Sequence, residues 1–300
     1  MGKSEVYESN KTTNNIHTTS GRGLSAKVLK WIAMITMFID HTGVAIVFPV
    51  YYSGFFTDFP LDRLYEAMRI IGRLAFPLFI YLIVDSFFYT RNRKRFVTGL
   101  LVFALISELP FDAAITFPLP MSEQYETLTL RDLFIHQNVY FTLLIGTLCL
   151  TFSEYVFHGA PAFISEKESR NKLNQKGNDV PKHSMVFNLL MVALITAIGC
   201  GLAYLLHVDY GIFGILAIVL AYLIHKTGRK KLEIFGIILA LVFSNIIELF
   251  AALDGLLICA SNGKRGNIRH KWLYYIYYPA HLAVLAMIKL IIFHHAGALY

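Results

Sequence analysis

Long apolar runs separated by short polar segments dominate the chain, at about residues 28–50, 68–90, 96–118, 139–157, 185–206, 211–225, 232–251 and 272–293. A run of about 18 or more apolar residues is long enough to carry a helix across a bilayer. The apolar residues come in blocks and not on the single stripe of a soluble amphipathic helix. The pattern predicts an all-α, polytopic integral membrane helical bundle of eight to nine membrane segments, some kinked or re-entrant. Residues 1–27, polar and rich in Ser, Thr and Asn, read as a disordered cytoplasmic leader. Residues 28–294 read as one transmembrane domain with a polar, basic cytoplasmic loop at 158–184.

Loop cations orient the bundle. Lys27 and Lys30, the segment Arg91–Arg95, the 158–184 loop and the segment Lys226–Lys231 alternate with cation-poor loops at 51–66, 119–138 and 207–210, which predicts a cytoplasmic N-terminus. With eight simple spans, Lys264, Arg265, Arg269 and Lys271 would break the rule. Residues 232–262, however, are too long for one straight span and are interrupted by Glu248, Asp254 and Gly255. After a span at 232–251, a short re-entrant segment or second half-helix near 252–262 would return the chain to the cytoplasm, giving nine segments and an outside C-terminus.

Composition agrees: 56% of the 300 residues are hydrophobic and 16% charged, and mean hydropathy is +0.53. A soluble domain of this size needs more polar surface. The net charge of +7 would raise nucleic acid as a partner in a soluble protein. Here it lies in short loops that set topology, so the partner expected is the lipid bilayer of the cytoplasmic membrane. Cys149, Cys200 and Cys259 sit in apolar runs without paired spacing, as fillers and not as a disulfide or metal framework.

Ionisable groups inside apolar runs are costly and usually face a bundle interior or wet cavity. The first run holds Asp40 and His41, the second Arg69, Arg73 and Asp85, the third Glu108 and Asp112; Asn138 opens the fourth, Asp209 precedes the sixth and His281 lies in the last. Counted at ~1.5 Å of rise per residue, His41, Glu108 and His281 reach a similar depth. Asp40 and His41, as neighbours, point about 100° apart, so a carboxylate of another helix, Glu108 for example, is the expected partner of His41. Arg73 paired with Glu108 as structural glue is the blander alternative. Pro77, Pro110 and Pro279 predict kinks beside these groups. Tyr274, Tyr275, Tyr277 and Tyr278 read first as a membrane-interface belt.

Several segments carry a resemblance. They are Leu29–Ala33 with Ile39-Asp40-His41-Thr42-Gly43, the segment Arg69–Phe79, Ala104–Asp112 with its Ser-Glu-Leu-Pro-Phe-Asp, Asn138–Leu143, Asp209-Tyr210-Gly211, Asn262–Gly266 and Tyr277-Tyr278-Pro279-Ala280-His281-Leu282. This collinear set, over about residues 27–290, resembles the TraX family, multispan acetyltransferases named for N-terminal acetylation of conjugative pilin. Lys30 and His41 also leave ten residues between them, similar to the basic-x10-His spacing of wider membrane acyltransferases.

The resemblance implies transfer of an acetyl group from acetyl-CoA to an amine or hydroxyl of a peptide or glycan acceptor. His41 is the expected general base, with Glu108 or Asp40 holding its tautomer, Arg73, Arg69 or Asn138 donating to the oxyanion, and His281 in the catalytic set. Asp112, Asn138, Asp209, Tyr278 and Arg69 are expected at the acceptor. Lys30, Arg91, Lys264 and Arg265 are expected on the CoA phosphates. Two readings compete: a secondary transporter, for which mid-membrane charges beside broken helices are equally suited, and a non-enzymatic assembly factor for a surface structure.

Overall fold

The computed structural model describes residues 23–53, 59–117, 135–158, 184–264, 266 and 272–297. The described residues are helical almost throughout. Helix α1 (Ala26–Tyr52) starts behind an N-cap at Ser25, whose hydroxyl accepts from the Val28 amide. Next come α2 (Leu61–Gly72), α3 (Ala75–Tyr89), α4 (Arg93–Phe111), α5 (Val139–His158), α6 (Met185–Leu205), α7 (Gly211–Lys226), α8 (Glu233–Val242), a 3₁₀ stretch Ile246–Leu253, α9 (Asp254–Cys259) and α10 (Trp272–Gly297). Among the described residues, six helical segments are long and apolar enough to cross a membrane, α2 and α3 counting as one, and α7 is a shorter seventh. The chain is a polytopic helical membrane protein.

In lipid there is no apolar driving force between helices, so packing and polar ties hold the bundle. Helix α7 is its axis, buried along Gly214, Ile215, Ala217, Ile218, Val219, Ala221, Tyr222 and His225. Neighbours approach it closely at glycines: a Cβ on Gly146 would strike Ile218, one on Gly236 would strike Ile224, and one on Gly214 would strike Thr142. Near the ends of α4, α5 and α7, Glu154 accepts from the Tyr222 hydroxyl at 2.6 Å and the Lys226 ammonium at 2.8 Å, and Arg93 lies 3.5 Å away.

The apolar run beginning at 232 is not a span followed by a re-entrant turn. Helix α8 is 10 residues long, about 15 Å at helix rise and half of a ~30 Å hydrocarbon core. The chain reverses at Phe243–Asn245, where the Asn245 side chain accepts from the Ile247 amide. The 3₁₀ stretch and α9 then bring it back. Lys231, just before α8, donates to the Cys259 carbonyl at 3.0 Å. Beyond α9, Leu24 pairs with Ser261, and the Ala26 amide donates to the Lys264 carbonyl at 2.9 Å. Lys264 therefore returns to the face on which α1 begins, as the loop-charge argument required, but through two short arms with an earlier reversal. We call this the proximal face. On the distal face, Gln137 before α5 pairs with Val208 between α6 and α7.

The proline breaks are displaced from the prolines. The α2–α3 break is at Arg73–Leu74, and Pro77 sits in the first turn of α3, where no amide is needed. Pro110 lies inside α4, and the distortion follows it as a π-turn, Asp112–Thr116. Pro279 does not break α10. Its missing N–H frees the Tyr275 carbonyl, which accepts from the Tyr140 hydroxyl at 3.2 Å instead. A second π-turn, Gly43–Val47, follows His41 within α1. The two π-turns touch each other, and both pack against α10; such turns are frequent at functional sites.

Candidate functional site

A cavity of about 340 Å³ lies among α1, the α2–α3 break, α5, the tip of the re-entrant hairpin and α10. From Met34 and Tyr274 near the proximal face it passes Asp40, His41, Arg69 and Arg73 and reaches Asp209 and Tyr210 on the distal side. Tyr274, Tyr277 and Tyr278 line it and do not form a lipid-facing belt. Helix α10 runs parallel to α1. Trp31 meets Tyr274 edge-on at 6.3 Å, and the Tyr277 hydroxyl donates to the Met34 carbonyl at 3.0 Å, so the two helices carry their histidines to one level.

The cavity wall holds a closed set of ion pairs. Arg69 Nη1 donates to Asp40 Oδ2 at 2.7 Å. Arg73 Nη2 donates to Asp40 Oδ1 at 3.1 Å, Nη1 to Glu248 Oε1 at 2.6 Å and Nε to the Arg69 carbonyl at 3.2 Å. Two guanidiniums thus face two carboxylates, which offsets the expense of each charge away from water. Gly72 makes the arrangement possible, because a Cβ there would fall on the Asp40 carboxyl. The two arginines differ in what remains. Arg73 is buried with each nitrogen engaged, whereas the Arg69 side chain is 27% exposed and has one bonded nitrogen.

His41 Nδ1 lies 2.7 Å from His281 Nε2. The ring planes differ by 2° with centroids 5.0 Å apart, the spacing of rings edge to edge in one plane and not face to face. His281 Nδ1 is 2.8 Å from the Tyr277 carbonyl. Tyr278 packs edge-on to His41 at 5.8 Å. His41 is part of the cavity wall; His281 stands behind it.

Across the cavity, Asp209 sits in the turn before α7. Its backbone is fixed by Gln137, which accepts from the Asp209 amide at 2.8 Å, and by the Thr142 hydroxyl, which donates to the Asp209 carbonyl. Tyr210 takes a left-handed conformation, φ 61°, and stacks on Phe76 at 3.6 Å. Loss of hydration pushes the Asp209 carboxyl up to about 6, against the opposing pull of Arg73.

Of the residues singled out in the sequence, Asp40, His41, Arg69, Arg73, Asp209 and Tyr278 meet at the cavity, with His281 behind. Glu108 does not meet His41. It accepts from the backbone amide and side-chain amide of Asn138, whose own Oδ1 takes the Tyr140 amide and so caps α5. Neither Glu108 nor Asp40 orients His41, and Arg73 pairs with Glu248 and Asp40, not Glu108. Asp112, buried in the π-turn that follows α4, and Asn138 stand outside the cavity wall.

Lys30 lies over the Tyr274 ring at the proximal end, 5.2 Å from its centroid. Lys264 is exposed beside the start of α1, Arg91 is exposed between α3 and α4, and Arg265 lies outside the described residues. Glu248 was noted in the sequence only as an interruption of an apolar run. Charge balance was the available signal: Arg69 and Arg73 share a helix face, and Asp40 alone leaves one cation uncompensated.

The fold and this site define a polytopic helical membrane protein with a cavity carrying paired charges and a histidine in its wall. The chain belongs to the TraX family: the model described as TraX protein matches residues 25–289. It is 27% identical over 284 residues to the probable fimbrial assembly protein FimC, serogroup H1, of Dichelobacter nodosus, covering 89% of this chain and 96% of that one. No solved structure matches.

Proposed function

We propose that the protein is a membrane-embedded acetyltransferase that takes the acetyl group of acetyl-CoA from the cytoplasmic side and passes it to an amine or hydroxyl of a surface peptide or glycan. The observation that supports this best is the placement of His41 in the wall of the same cavity as the lightly engaged guanidinium of Arg69. His41 accepts the acceptor's proton as the acceptor attacks the thioester carbonyl. Arg69 donates to the oxygen that gains charge, while Arg73 holds Asp40 and Glu248 in place. The thiolate of CoA leaves as the carbonyl re-forms and takes a proton on release.

Lys30 over Tyr274, with Lys264 on the same face, fits phosphates held outside the proximal mouth while a thin pantetheine arm enters. The proximal face carries the basic loops, which supports a cytoplasmic N-terminus. The relative's name makes a pilin-type subunit the first acceptor to test.

The test is release of free CoA thiol, and transfer of labelled acetyl to an added pilin peptide, by the purified full chain in nanodiscs. Turnover in the wild type and about 10²–10⁴-fold less in His41→Ala is the expected result; equal turnover in both removes His41 as base. The re-entrant hairpin at a charged cavity also suits a carrier. A carrier would move a solute across vesicles without consuming acetyl-CoA.

A further inference from the structure

The two histidines form a directed pair, and its direction follows from one carbonyl. A carbonyl oxygen only accepts, so at 2.8 Å from the Tyr277 carbonyl the His281 Nδ1 must carry a hydrogen. A neutral imidazole carries one such hydrogen, which leaves His281 Nε2 bare. That bare nitrogen faces His41 Nδ1 at 2.7 Å, so His41 Nδ1 must carry its own hydrogen and donate it. The 2° angle between the planes points this N–H along the His281 lone pair. The nitrogen of His41 left without a hydrogen is Nε2, on the edge away from His281.

We infer that His281 is a positioning residue that holds neutral His41 in the Nδ1–H form, so that Nε2 is the proton acceptor of the cavity. This goes beyond the proposed acetyl transfer and rests on it only for the use made of Nε2. The device resembles the orienting carboxylate of a hydrolase triad in geometry but differs in charge, because the partner is itself a neutral imidazole. When His41 gains a proton at Nε2 and later loses it, the bond to His281 is unchanged, and no ring has to turn. The His281 ring is held for this task. Tyr277 stacks against it at 5.0 Å, Phe38 meets its edge at 6.2 Å, and Tyr277 is tied to α1 through Met34.

The test reads the tautomer directly. Full-length protein labelled with ¹⁵N-histidine is placed in nanodiscs at a pH where His41 is neutral, and the His41 signals among the 11 histidines are assigned by their loss in His41→Gln. The expected spectrum has a protonated Nδ1 and a bare Nε2. His281→Phe, which cannot accept, should move the population toward the Nε2–H form. His281→Gln, whose amide oxygen can accept the same hydrogen, should restore the Nδ1–H form.

A wild-type His41 protonated on Nε2, or a tautomer unmoved in His281→Phe, overturns the inference. If His281→Phe fails to fold, the wild type and His281→Gln decide it. In the acetyl-transfer assay His281→Phe should lower kcat by up to about 10⁴-fold, the scale of a base left in the wrong tautomer, with KM for acetyl-CoA unchanged and partial recovery in His281→Gln. An Nδ1–H spectrum in a protein that transfers no acetyl group would sink the function and leave the tautomer assignment standing.

Discussion

Two histidines of this bundle each lie 2.7 Å from one polar partner on a neighbouring element, yet their surroundings differ. His225, at the end of α7, has Nδ1 2.7 Å from Glu233 Oε1 at the start of α8, with both side chains buried and Phe88 stacked on the ring at 4.1 Å. His41 has a second imidazole as its partner and a cavity along its wall. The Glu233 carboxylate sits against His225 inside the bundle, so this pair can join the hairpin to the axial helix. An imidazole supplies only a lone pair and an orientation, which leaves His41 able to exchange a proton with whatever enters the cavity. In the proposed mechanism, the choice of partner thus separates a tie from a reactive group.

The largest expected effect breaks this contrast if it is absent. His41→Ala should lower acetyl transfer by about 10²–10⁴-fold, the usual contribution of a general base, with little change in thermal unfolding in nanodiscs. His225→Ala should do the reverse, with turnover per folded molecule within about twofold and folding weakened by about 3–5 kcal/mol, the range for one partner of a buried pair. Equal loss of turnover in both variants would erase the distinction.

The tie can also be replaced as a unit. Glu233→Leu alone should weaken folding by about 3–5 kcal/mol. The double variant His225→Leu with Glu233→Leu should recover most of that, since an apolar pair of similar volume is often neutral or stabilising by about 1–4 kcal/mol. A double variant no more stable than the single one would mean that the charges themselves hold the hairpin. At the cavity no such rescue is expected. Arg69→Met should reduce kcat by about 10²–10³-fold, the scale of one oxyanion donor, and pairing it with Asp40→Asn should restore stability without restoring turnover.

How far these features were legible in the sequence follows from what sequence distance can encode. The long spans were legible because an apolar run directly reports a membrane segment. So was the return of Lys264 to the proximal face, because loop cations report topology. The reversal point was not, since Ser244-Asn245 is a weak turn signal and the apolar run continues through Ile246–Leu253. Counting helix rise placed His41 and His281 at one depth, and they do meet. Depth carries no azimuth, however, so the same count brought in Glu108, which faces Asn138 at the cap of α5 instead. Glu248 became recognisable only when the hairpin carried it back beside Arg73.

The smallest effect sharpens the comparison on its acceptor side. Asp209 lines the same cavity as His41, and its carboxyl, pushed up to about 6 by loss of hydration, is charged above that pH and neutral below it. If the acceptor presents an ammonium group before it reacts, Asp209 attracts it only in the charged form, so acceptor KM should rise as pH falls through about 6. A single partly solvated ion pair is worth about 1 kcal/mol or less, so the rise should be no more than about fivefold. Asp209→Asn should show the weaker KM at every pH and no inflection near 6. The change belongs to KM and not to kcat, which separates it from the base, because in the proposed mechanism His41 serves the attack and Asp209 only the approach. An inflection that survives in Asp209→Asn would assign it to another group. A KM flat with pH in the wild type would fit an uncharged acceptor, such as a glycan hydroxyl.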